Sequence, residues 1–141
     1  MLQKFALDPE REKTELLRQL VVNMSLGNWD AHAKNTSFLY REPMVPTLAP
    51  LYDVVPIAEV EQRALYLSMR VNGLIRPEEI TRDDVVAEAS SWGVDPEDAR
   101  DVIDDVLCKL EEGIGAASIA YPAAAARHEG AALQRICKLR G

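Results

Sequence analysis

Residues 27–40 read GNWDAHAKNTSFLY, and residues 48–56 read LAPLYDVVP. From Asn28 to Thr36 the first stretch is polar and has no apolar period, so it reads as a loop. Before it, Leu16, Leu17, Leu20, Val21 and Met24 recur at the spacing of one helix face between Glu12 and Leu26. Gly27 is a suitable stop for that helix. After the loop, Ser37 to Tyr40 reads as a short strand. Pro43 lacks an N–H and drives the residue before it out of the helical region, so Glu42 to Pro46 reads as a turn. Thr47 to Val55 reads as extended, broken by Pro50 and closed by Pro56. The expected unit is a helix, a polar loop and a small hairpin.

Outward from that unit the chain reads as helical. Thr81 can cap a helix, with Asp84 in a capping-box position, Val85, Val86 and Ala89 on its inner face and Gly93 closing it. Asp95-Pro96 starts another helix, with an N-cap followed by proline at the first helical position. Its apolar face is Ala99, Val102, Ile103, Val106, Leu107 and Leu110, and Gly113 and Gly115 weaken its end. An alanine-rich helix is expected from about Pro122 to Leu139, with Pro122 in its first turn. The fold class is therefore mainly α with a small β-hairpin. The expected organisation is one unit over 1–141, with a loop region at 27–56 and a helical region at 81–139.

Composition agrees with this and narrows function. The 141 residues are 48% hydrophobic and 28% charged, which is ordinary globular usage. No apolar run is long enough to span a bilayer. The first residues carry no secretory signal, and Cys108 and Cys137 cannot form a disulfide scaffold, so a reducing cytoplasmic compartment is expected. Net charge is −7. Residues 78–112 hold thirteen acids against Arg82, Arg100 and Lys109, which is −10, and leave +3 for the rest. That balance argues against non-specific nucleic-acid binding and suits the wet faces of two helices. Arg127, Arg135, Lys138 and Arg140 on the last helix read as cations offsetting its dipole before they read as DNA contacts. Trp29 is expected to anchor the loop to the core. Cys108 is read as a small buried hydrophobe, and Trp92 and Tyr121 as core or half-core.

The chemistry lies in Asp30-Ala31-His32-Ala33-Lys34-Asn35 and in Asp53. Phosphoryl transfer needs a carboxylate to accept or orient the acceptor hydroxyl proton. It also needs hard oxygen ligands for the metal ions that bridge nucleotide phosphates. Asp30 and Asn35 have the D-x-x-x-x-N spacing that supplies both on one catalytic loop, and Asp53 stands where a second metal aspartate would follow the hairpin. The same spacing suits Asp and Asn side chains that merely bond backbone in a turn. His32 and His128 have no cysteine nearby, which argues against structural zinc.

These residues resemble the signature of the HipA family of bacterial Ser/Thr protein kinases, approximately N-x-D-x-H-x-K-N-x-S, a hairpin, then L-x-P-x-Y-D-x-x-P. Asn28, Asp30, His32, Lys34, Asn35 and Ser37 match the first part. Leu48, Pro50, Tyr52, Asp53 and Pro56 match the second, and LYLSMRVNG at 65–73 is similar to the family segment beyond it. Lipid kinases share D-x-H-x-x-N, but Asp53 is followed by Val54-Val55-Pro56 and not by Phe-Gly. The resemblance implies the helical C-lobe of a kinase-like fold. It implies Asp30 as catalytic base, His32 and Lys34 shaping the loop, Asn35 and Asp53 as Mg²⁺ ligands, and ATP as cofactor. It also implies a protein substrate and a HipB-like antitoxin partner, with DNA reached only indirectly and no membrane.

The stretch before Asp30 is too short for a kinase N-lobe, and no glycine-rich phosphate loop or V-A-I-K strand precedes the catalytic loop. The expectation is a lobe inactive alone that pairs with a separate N-lobe chain or with itself. The alternative is a non-catalytic interaction module or remnant that binds a partner chain.

Overall fold

The computed structural model describes residue 6 and residues 8–42, 45–60 and 66–141. Helix α1 spans Pro9–Leu26 and starts earlier than its apolar period suggests. Asp8 accepts a hydrogen bond from the Arg11 N–H at 3.1 Å, and Pro9 fits the first turn, where no N–H is needed. Gly27 ends the helix in the left-handed region at φ 72°. A Cβ there would sit 2.9 Å from both the Ala58 Cβ and the Arg135 guanidinium carbon, so glycine is required for space as well as for φ.

The polar loop contains one 3-10 turn, Ala33–Asn35. Strand β1, Phe38–Glu42, pairs antiparallel with β2, Val45–Leu48. Phe38 lies opposite Leu48 and Tyr40 opposite Pro46, with an irregularity between Tyr40 and Glu42. The expected turn falls partly on residues 43 and 44, which lie outside the described residues. Pro46 belongs to β2 and not to the turn; a two-stranded ribbon is all edge, so its missing N–H costs no ladder bond on a third strand. Beyond β2 the extended reading ends early, because residues 49–56 form no strand. Two buried side chains of α1 hold the ribbon: Glu12 accepts from the Leu48 N–H, and Gln19 Nε2 donates to the Ala49 carbonyl at 2.9 Å.

A one-turn helix, α2, covers Ile57–Val60. Three helices complete the chain: α3 Arg82–Ser91, α4 Pro96–Ala120 and α5 Pro122–Arg140. Thr81 and Asp84 form a full capping box on α3, and Asp95 caps α4. Gly113 and Gly115 do not end α4, which continues to Ala120. Helix α4 packs on both α1 and α5, and α3 covers α4. The core is Leu17, Val21, Ile80, Val85, Ile103, Leu107 and Ile136, all but fully buried. Trp29 and Trp92 pack against it from the side. Cys108 is exposed, and Tyr121 is 71% exposed at the α4–α5 corner, against the sequence reading of both. Among the described residues no helix is long and apolar enough to cross a membrane.

Truncating Ile103 to alanine leaves a cavity at the centre of this packing. The expected cost is about 3 kcal/mol, read as a lowered urea midpoint. Cys108→Ser changes stability by less than about 0.5 kcal/mol, and wild-type Cys108 reacts with a thiol reagent without unfolding.

Three aspartates on the acidic helices are held below their ordinary value of 3.8. Asp84 owes this chiefly to hydrogen bonds from the Thr81 hydroxyl and then Asn72. Asp104 owes it chiefly to Arg82, and Asp105 to Lys109 and then Arg18. Groups depressed in the folded chain stabilise it fully above 3.8 and lose that effect as pH falls through their folded values. The melting temperature is expected to drop as pH falls below about 4, and less steeply in Asp84→Asn.

Candidate active site

The end of α1 delivers the loop. Asn28, buried behind Gly27, donates from Nδ2 to Asn23 Oδ1 at 2.9 Å and to the Asp53 carbonyl at 3.2 Å. One carboxamide thus joins the start of the loop to the second aspartate. Asp53 has φ 56°, in the left-handed region that Asp and Asn tolerate better than other L residues. Asp30 and Asp53 are both exposed. Among the described residues neither makes an ion pair.

Within the loop the backbone turns back on Asp30. The His32 N–H donates to the Asp30 carbonyl at 2.7 Å, and the Asn35 N–H donates to the His32 carbonyl at 2.8 Å. Asn35 Nδ2 also donates to the Asp30 carbonyl, at 3.3 Å. Its nitrogen is committed, and Oδ1 is the atom left to accept or to ligate. The turn-bond reading of this Asp/Asn pair and the ligand reading therefore coexist in one geometry. His32 is half-buried, with Nδ1 covered and without a hydrogen-bond partner among the described residues. Lys34 is exposed, and its carbonyl accepts from the Tyr52 hydroxyl at 3.0 Å. Tyr52 also shares a 2.6 Å bond with the Ser37 hydroxyl, so it ties the middle of the 3-10 turn and the residue before β1 to the segment that leads into Asp53.

Ser68 has no role in the sequence reading. Its hydroxyl donates to Asp30 Oδ1 at 2.9 Å, and its N–H donates to the Trp29 carbonyl at 2.8 Å. It lies in the 65–73 segment that the motif comparison singled out; all of that segment but Leu65 is described. Beside the loop is a cavity of about 220 Å³, lined among others by Met24, Trp29, His32, Asn35, Tyr52 and Met69. Asn35 lines it, and Asp30 and Asp53 do not.

Among the described residues no three His, Cys, Asp or Glu side chains converge as a metal cluster. By chemistry Asn35 Oδ1 and the Asp53 carboxylate are both hard oxygen donors. That set fits a magnesium ion that takes its other oxygens from phosphates and water, and it does not fit zinc.

The comparisons with known proteins bear on this geometry. The family model described as the HipA-like C-terminal domain matches residues 1–114. A Sinorhizobium fredii (strain NBRC 101917 / NGR234) protein named "Putative kinase Y4mE" is 30% identical over 94 residues, covering 67% of this chain and 22% of that protein. A Haemophilus influenzae protein named "Putative kinase" is 38% identical over 47 residues, 33% of this chain and 14% of that protein. The chain thus spans about a fifth or less of the length of these relatives. In structure it is similar to a chain of the Shewanella oneidensis MR-1 toxin–antitoxin complex of HipA, HipB and operator DNA. The TM-score is 0.77 at 21% identity, covering 99% of this chain and 32% of that one, a likeness of fold.

Tyr52→Phe removes the hydroxyl that bridges Ser37 and Lys34 and nothing else. It is expected to cost about 1 kcal/mol in urea unfolding, with amide shift changes concentrated at residues 34–37.

Proposed function

The chain belongs to the HipA-like C-terminal domain family, and from that premise we propose that it is the C-terminal catalytic lobe of a serine/threonine protein kinase. The reading treats residues 1–141 as one lobe, with its chemistry at 27–56 and its helical support at 81–139. What supports it is the family match together with two bonds, Asn35 Nδ2 to the Asp30 carbonyl and Asn28 Nδ2 to the Asp53 carbonyl, which tie Asn35 to Asp30 and the start of the loop to Asp53.

On this reading Asp30 accepts the proton of a protein hydroxyl, or orients that hydroxyl for attack. Ser68 donates to Oδ1, so Oδ2 is the oxygen that would serve the acceptor hydroxyl. Asn35 Oδ1 and Asp53 hold the magnesium ion. Lys34, exposed beside them, offsets negative charge on the phosphates. His32 shapes the loop through its backbone bonds to Asp30 and Asn35. Bound Mg²⁺–ATP supplies the phosphoryl group and the charge neutralisation that the transfer requires. The chain's own part is positioning, which dominates this reaction class.

Among the described residues the only sheet is the β1–β2 ribbon. The nucleotide-binding lobe is then contributed by another part of a longer protein, by a separate chain or by a second copy. Exposed Tyr52 and Met69 beside the loop support such a covering surface. They equally favour the second reading, a module that binds a partner without catalysis. For either reading a HipB-like antitoxin is the partner proposed, with DNA reached through it. The acidity of the chain and the composition of the complex that holds its structural neighbour support that choice.

Thermal shift with millimolar Mg²⁺–ATP tests the catalytic reading, since a ligand of the folded form raises the midpoint. The wild-type midpoint is expected to rise, and Asp53→Asn is expected to abolish the rise. Asn tolerates the same φ, so the variant loses the charge and not the backbone. No rise in the wild type would leave the interaction module as the better reading.

A further inference from the structure

We propose that Arg135 is a positioning residue through which the C-terminal helix fixes the spacing of the two segments that carry Asp30 and Asp53. The proposal rests on the reading of those two residues given above. Arg135 lies on α5, beyond the residues 1–114 that the family model covers. Its Nε donates to the Ser25 carbonyl at 3.0 Å, in the last turn of α1 just before the loop. Its Nη2 donates to Glu59 Oε1, in the one-turn helix α2 that follows Asp53. One guanidinium therefore grips the chain upstream of Asp30 and downstream of Asp53.

The surroundings make this grip stiff. The Arg135 and Glu59 side chains are only 20% and 14% exposed, so the pair is shielded from solvent. The guanidinium lies close against Gly27, where a Cβ would meet its carbon and Nη2 at 2.9 Å. The Ala58 N–H donates to the Gly27 carbonyl at 3.1 Å, so α2 and the end of α1 are also bonded directly under the arginine. His128, on the same helix, places Nδ1 3.6 Å from Glu59 Oε2. The planar fork of arginine serves two acceptors at once, which a lysine ammonium at the end of a flexible stem cannot reproduce. The sequence reading had this residue as a cation near a helix end.

The test uses Arg135→Ala, Arg135→Lys and Glu59→Gln, with Lys138→Ala as control. Lys138 is on the same helix but bonds the Pro77 and Glu78 carbonyls. Amide hydrogen exchange is read at residues 25–36 and 53–58, and Mn²⁺ broadening of amide signals is read at Asn35 and Asp53. Arg135→Ala is expected to raise exchange in both segments by about tenfold or more, as fits the loss of charge-assisted bonds. It is also expected to abolish the joint broadening of Asn35 and Asp53. Arg135→Lys recovers only part. Glu59→Gln loosens 53–58 more than 25–36, because the bond to Ser25 survives. That asymmetry also decides the matter if Arg135→Ala fails to fold. Exchange in the Arg135 and Glu59 variants no higher than in the Lys138 control would overturn the proposal. A wild type that shows no Mn²⁺ broadening would sink the metal reading of Asn35 and Asp53, while the exchange data would still decide the role of Arg135.

Discussion

The site hangs on one buried carboxamide. Asn28 is 4% exposed, and its nitrogen bonds Asn23 on α1 and the backbone of Asp53. Left without partners in that position, the amide would cost about 1–3 kcal/mol, so the bonds are effectively obligatory. The rest follows from meeting them. The chain has to leave α1 abruptly, which Gly27 permits at positive φ. The Asp53 carbonyl has to face inward, and Asp53 takes the left-handed conformation while its carboxylate stays exposed. The hairpin between the two is held independently, by Glu12 and Gln19 against β2. Helix, loop and second aspartate then share one rigid support.

Local chemistry made much of this legible. The capping box at Thr81–Asp84 and the Asp95-Pro96 start are short-range signals, and both helices begin where those residues stand. The spacing of Asp30, Asn35 and Asp53 could be read without a structure. Whatever depends on distant partners could not. Helix α2 is a single turn fixed by the Ala58–Gly27 bond, and no four-residue segment has the periodicity to announce that. Ser68 reaches Asp30 across 38 positions, and Arg135 reaches Glu59 across 76. Cys108 was misread for a different reason. Ile103, Leu107 and Leu110 define the inner stripe of α4, and Cys108 is one residue, about 100°, off Leu107 and so faces water. Tyr121 sits at a helix corner that no other element covers among the described residues.

The charge pattern resolves in the same way. The acidic run of residues 78–112 becomes the outer faces of α3 and α4, where Arg82 meets Asp104 and both Arg18 and Lys109 meet Asp105. Exposed pairs of this kind contribute about 0–1 kcal/mol each, so their main effect is on orientation. Arg82 shows it: its other bonds go to the Arg140 and Arg100 carbonyls, which joins the start of α3 to α4 and to the end of α5. The basic residues of α5 are similarly engaged. Lys138 holds the Pro77 and Glu78 carbonyls, Arg140 pairs with Glu111, and Arg135 is committed to Glu59. Three of the four cations that could have made a DNA-binding tail serve to seat the helix. Any route to DNA through a partner therefore draws little on this helix.

The donor count sets how such a lobe could work on the proposed reading. A magnesium ion demands six near-octahedral oxygens and gives up water reluctantly. Asn35 and Asp53 offer side-chain oxygens at two positions, and no acidic cluster stands behind them among the described residues. A pair so sparse would hold a bare ion weakly and would gain affinity where phosphate oxygens complete the shell, so metal and nucleotide would be expected to bind together. On that reading the lobe would contribute the spacing of the two oxygen donors, and the bonds of Asn28 to Asn23 and the Asp53 carbonyl, with those of Arg135 to Ser25 and Glu59, are the ones that bear on it.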